Sequence, residues 1–140
     1  MTCSSLTPGA RASLIRPAGC ARVKARRLRA FLDLLFEAHA GRLDRLFARP
    51  TGELRATLLS VAGIGPETAD AILLYAAGRP VFVVDAYTLR ALVRHGWLHP
   101  RADYDAAAAS FTRRMPRDTA LLNEYHALIV PTPRPFVSVM

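Results

Sequence analysis

Apolar residues recur at helical spacing along most of this chain. Leu28, Phe31, Leu32 and Leu35 mark one face of a helix beginning near Val23, and Gly41 supplies its stop. Leu43, Leu46 and Phe47 suggest a short helical turn ending at Pro50. Thr51 is a candidate N-cap for a helix over 52–60, with Glu53 in its first turn. The tight turn Gly63-Ile64-Gly65 follows, and Pro66 suits the first position of a helix because its missing N–H has no intrahelical acceptor there. Ala69, Ile72, Leu73 and Ala76 give that helix an apolar face, and Gly78 and Pro80 end it near Ala77. Val81 to Val84 resembles a strand by composition, but nothing else in the pattern could pair with it, so it reads as a buried extended connector. Asp85 opens a helix through His95, Tyr104 to Arg114 forms another, and Asp118 caps a last one over 118–130. The pattern predicts an all-α fold with no sheet. Residues 1–14 read as a loose lead-in, 15–130 as one helical domain, and 131–140 as a Pro-rich tail.

Composition narrows the function classes. The chain has 140 residues and is 51% apolar, enough for a modest core and too apolar for a disordered chain. No apolar run has the roughly 18 residues a membrane span needs. A charged start without an apolar stretch after it gives no secretory signal. Cys3 and Cys20 are too few for a disulfide scaffold or a four-thiolate metal site, so a reducing intracellular setting, cytoplasm or nucleoid, is expected. The formal charge is +8, and its placement is uneven. Residues 1–32 hold Arg11, Arg16, Arg22, Lys24, Arg26, Arg27 and Arg29 and no acid. Such a block attracts phosphate and gains from counterion release, though a solvated helix face would carry the same charges.

The stretch from Leu58 to Ile72 is the most informative. Two helices flank a Gly-hydrophobe-Gly bend. The glycines permit backbone angles and a close approach that side chains would block. Amides left over at the start of the second helix, with the positive end of its dipole, suit a phosphate. Ile64 is expected to tuck inward and pin the bend. A Gly-x-Gly alone would be an ordinary corner between helices. The longer pattern, Leu-x-x-x-Gly-Ile-Gly-x-x-Thr-Ala-x-x-Ile followed by Val83-Val84-Asp85-Ala86-Tyr87-Thr88-Leu89-Arg90, resembles the helix-hairpin-helix of the endonuclease III (HhH-GPD) superfamily of DNA glycosylases. Asp85 lies 18 residues after Glu67, the separation that family keeps between its two catalytic positions. Ile15 to Gly19, Lys24 to Leu28, and Asn123 to Leu128 extend the resemblance to about residues 13–130.

The resemblance implies roles. Asp85 would be the catalytic carboxylate, stabilising the positive charge that builds on deoxyribose as a base leaves, and orienting water. It can also be simply an N-cap. Glu67 stands where bifunctional members carry a Schiff-base lysine, so the family pattern implies a monofunctional glycosylase, closest to the 3-methyladenine branch. Glu67 would equally serve as a first-turn acid favouring the helix dipole. Gly63, Ile64, Gly65, Pro66, Glu67 and Thr68 would hold a DNA phosphate, with Lys24, Arg26 and Arg90 as further grips. The carbonyls of Leu59, Val61 and Ile64 would cradle a monovalent cation in the family's manner. Tyr87 fits an aromatic of the family motif or a core position. Tyr125 and His126 match the late helix without an assigned chemical role.

Three departures qualify this. The family's preceding helices, which line the base pocket, have no counterpart in residues 1–12. The four cysteines of its iron–sulfur cluster are lacking after Cys20, so no cofactor is expected. The aromatics often found after Ala18-Gly19 are Cys20 and Ala21. The chain therefore reads as truncated at both ends, with apolar faces that another chain would cover. The expected partner is double-stranded DNA, with neither membrane nor small-molecule cofactor. Three readings compete: an enzyme, a non-catalytic DNA-binding module, and an inactive gene remnant.

Overall fold

The computed structural model describes residues 7–14 and 20–129. Ile15 to Gly19 and the Pro-rich tail, both used above, lie outside the described residues. Helices are α1 (Pro8–Leu14), α2 (Ala21–His39), α3 (Leu43–Phe47), α4 (Thr51–Leu59), α5 (Pro66–Ala71), α6 (Ala86–Arg94), α7 (Tyr104–Arg114) and α8 (Thr119–Ile129). Helix α5 runs on as a π turn over Ile72–Ala76. Among the described residues there is no strand, so the fold is all-α. No helix among them is long and apolar enough to cross a membrane. The chain forms two compact units, Met1–Gly65 and Pro66–Met140.

In the first unit α2 packs beside α1 and α3. Helix α1 occupies part of the expected loose lead-in, with Pro8 in a first turn that needs no N–H from it. Leu35, Leu46, Leu54, Leu58, Val61 and Ile64 are buried. Helix α2 ends as its glycine predicts. Ala40 and Gly41 are both left-handed, and the Gly41 N–H donates to the Leu35 carbonyl at 2.9 Å. A Cβ on Gly41 would lie 2.7 Å from the Phe36 ring. Thr51 proves to be the first residue of α4 rather than its cap. Pro50 holds the cap position, with no side-chain cap bond.

The second unit is built around Leu74, Phe82, Val83, Val84, Leu92, Ala107 and Leu122. Phe82 stacks on Phe111 with ring centroids 3.9 Å apart. The connector is extended and buried, as its composition required. Asp103 caps α7 through the Ala106 N–H at 2.9 Å, and Asp118 caps α8 through the N–H groups of Ala120 and Leu121. The apolar face of the hairpin's second helix differs from expectation. Leu74 is buried and Ala76 exposed. The π turn explains it. The Ala77 N–H reaches five residues back, to the Ile72 carbonyl at 3.0 Å. One extra residue in the turn rotates everything after it away from α-helical register.

Candidate functional site

Asp85 ends the buried connector and caps α6. The Thr88 N–H donates to its Oδ1 at 2.7 Å. The residue is 9% exposed. Its second oxygen faces α8, where His126 Nε2 lies 3.9 Å from Oδ2. The other ring nitrogen of His126, Nδ1, is hydrogen-bonded to the Tyr75 hydroxyl. The π turn that carries Tyr75 packs against α8. His126 Nε2 is buried and has no hydrogen-bond partner. Partial burial, and then the negative charge of Asp85, raise the Tyr75 pKa above the ordinary tyrosine value. The Tyr75 hydroxyl therefore keeps its proton at neutral pH, and its role towards Nδ1 follows the His126 tautomer.

A second polar pair braces the approach to this carboxylate. Asp70 is buried and accepts from the Tyr104 hydroxyl at 2.7 Å. The same hydroxyl oxygen lies 3.5 Å from the Val84 N–H, next to Asp85 in the chain. The Tyr104 hydroxyl thus offsets part of the desolvation of a buried carboxylate and of a connector amide.

On α6, Arg90 sits over the Tyr87 ring, 4.6 Å from its centroid. Both are exposed, so Tyr87 is a surface aromatic and not a core one. Arg94 lies one further turn along the same helix and is also exposed.

The hairpin glycines belong to the first unit. Gly63 has φ +90°, and a Cβ there would stand 2.5 Å from Arg27 Cγ. Arg27 thus lies against the bend, a placement that its position in a run of basic residues did not single out. Ile64 is buried, and its N–H donates to the Val61 carbonyl at 3.0 Å. Gly65 corrects the expectation. It has no positive φ, and a Cβ there would meet nothing within 4 Å. Leu59 is exposed and Val61 buried. Lys24 and Arg26 are exposed on α2. In the second unit Glu67 and Thr68 are exposed in the first turn of α5, where backbone amides precede any intrahelical acceptor. Among the described residues no three His, Cys, Asp or Glu side chains cluster as metal ligands would.

The structure thus joins Asp85 to Thr88, His126 and Tyr75, and Arg90 to Tyr87. Of these, Tyr75 had not been singled out at all, and His126 had been noted without a role.

No protein-family model matches the chain. It is 45% identical over 118 residues to a protein of Methanocaldococcus jannaschii provisionally named a DNA repair glycosylase. The chain is a relative of that protein. The match takes in 84% of this chain and 54% of the relative, so the chain spans about half the length of the curated protein it matches.

Proposed function

We propose that this chain carries the DNA-gripping hairpin and the catalytic carboxylate of a helix-hairpin-helix DNA glycosylase of the endonuclease III type. It acts on damaged bases in duplex DNA, without a covalent lysine intermediate. The observation that carries this reading is Asp85. One of its oxygens is tied to the α6 amide and the other is not. Capping fixes the carboxylate; the second oxygen remains for chemistry. Similarity to a DNA repair glycosylase supports the reading.

The chemistry follows from charge. As the bond between base and sugar lengthens, positive charge grows on the deoxyribose. A fixed carboxylate in a poorly hydrated place stabilises that charge more than water would. The same group orients the attacking water and takes its proton. Glu67, in place of an amine, leaves water as the nucleophile, and an alkylated base is the proposed leaving group. Gly63, Gly65, Glu67 and Thr68 offer backbone amides to a phosphate, since Pro66 has no N–H and that of Ile64 is given to the Val61 carbonyl; Arg27, Lys24, Arg26 and Arg90 add positive charge. The carbonyls of Leu59, Val61 and Ile64 form the proposed cradle for a monovalent cation.

A duplex-based assay on alkylated and deaminated bases, run on this chain and on Asp85→Asn, tests the proposal. Base release by the native chain, lost in the variant, is the expected outcome. DNA binding without release by either protein would make the chain a binding module instead.

A further inference from the structure

His126 is a partly buried titratable side chain that the proposed reaction leaves unused. It lies between two groups far from it in sequence. Tyr75 is 51 residues away and bonded to Nδ1; Asp85 faces Nε2. The side chains of His126 and Asp85 are each 12% exposed, so water competes little for them. A bare lone pair on Nε2 would repel the Asp85 carboxylate, whereas an N–H there attracts it. In the neutral ring, a proton on Nε2 makes Nδ1 an acceptor, and Tyr75 is the donor beside it. Both ring nitrogens are then used in one consistent direction, hydroxyl to Nδ1 and Nε2–H towards Oδ2.

We propose that Tyr75 and His126 form a positioning relay that fixes the imidazole tautomer and holds Asp85 Oδ2 in its working orientation. This rests on the reading of Asp85 as the carboxylate that faces the sugar. A separation of 3.9 Å is longer than a hydrogen bond. Such contacts in unliganded sites tighten when substrate closes the site. The Thr88 amide holds Oδ1, so a small rotation of the carboxylate about that bond would bring Oδ2 to His126. The relay requires the π turn, since unbroken α-helical register would carry Tyr75 away from its present azimuth on the helix. The lowered acidity of the phenol is consistent with the role, because the hydroxyl keeps its proton.

Ring-nitrogen NMR of the full chain reads the relay without DNA, and the His126→Gln spectrum assigns the signal among the four histidines. Where the His126 ring is neutral, the expected tautomer has its proton on Nε2. In Tyr75→Phe the fixed tautomer is lost and the Nδ1–H form becomes populated. A proton on Nδ1 in the native chain, or an unchanged tautomer in Tyr75→Phe, overturns the relay. Kinetics form the second arm. His126→Phe keeps a ring and loses both polar atoms, and its kcat should fall about 10- to 100-fold with KM nearly constant, the scale of a slightly misplaced catalytic group. His126→Gln keeps a donor and an acceptor and should recover most of the rate. Native rates in His126→Phe overturn the proposal. If the native chain releases no base on any lesion, the glycosylase reading fails, and the tautomer alone decides the relay. Melting curves on each variant separate loss of fold from loss of positioning.

Discussion

Helix α2 sets five cations, Arg22, Lys24, Arg26, Arg27 and Arg29, on exposed positions, whereas the region around Asp85 buries Asp70, Asp85 and Thr88. The two regions use charge in opposite ways. Exposed cations interact weakly with their neighbours; the 2.5 Å pair of Arg29 with Asp33 is of this kind. Their reach is outward, and on the proposed reading it is towards a polyanion. In the second unit the buried carboxylates of Asp70 and Asp85 each take a hydrogen bond from inside the protein, because a buried orphan costs about 1–3 kcal/mol. Stability should therefore tolerate changes on α2, and activity should not tolerate changes at Asp85.

The largest effect is expected where the polar region meets its apolar support. Phe82→Ala removes the ring stacked on Phe111 and should destabilise the second unit by about 3–5 kcal/mol, read from urea or thermal unfolding. Asp85→Asn comes next. Asparagine still caps α6, so stability should change little, while base release should fall about 100-fold or more. An active Asp85→Asn would end the contrast between the two regions.

The paired glycines sharpen it. Gly63→Ala must adopt φ +90° and displace Arg27, at about 1–3 kcal/mol. Gly65→Ala meets nothing within the chain, so its melting temperature should hardly move. If Gly65 is there to let a phosphate approach, its DNA affinity should still drop. Replacing Arg22 or Arg26 by Ala should change stability by no more than about 0.5 kcal/mol. Each residue that contacts phosphate should lower the salt slope of DNA binding by about one.

The smallest effect concerns pH. The Tyr75 pKa is raised on folding, so the folded state holds its proton more tightly. That contribution is fully present below the ordinary tyrosine value near 10 and is lost as pH rises through the higher folded value. Tyr75→Phe should flatten the alkaline limb of stability against pH, and an unaltered limb would count against the shift.

What could be read in advance was local. Pro66, Gly41 and Asp118 punctuate helices through groups a few residues away, so their elements fall close to expectation. Asp85 was legible as a cap for the same reason, whereas its catalytic role came from the family resemblance and belongs to the proposal. The π turn was not, since Ile72 to Ala76 is apolar or aromatic throughout and gives no sign of the added residue. That is why Ala76 was expected in the core in place of Leu74. The Asp70–Tyr104 and Tyr75–His126 pairs span 34 and 51 residues, and only packing of distant helices selects them. Thr51 was mistaken for a cap because a hydroxyl before a helix usually serves as one; here Pro50 starts the turn without a side-chain bond.

Trp97, the single tryptophan of the chain, follows α6 with 66% of its surface exposed and its ring 5.0 Å from that of His95. Intrinsic fluorescence is therefore a built-in optical probe of the surface beyond Arg90 and Arg94. Its emission is red-shifted from the start, so denaturant should move the peak very little. A bound oligonucleotide stacking on the indole should quench it, and titration of the unlabelled protein would then report occupancy of that face directly.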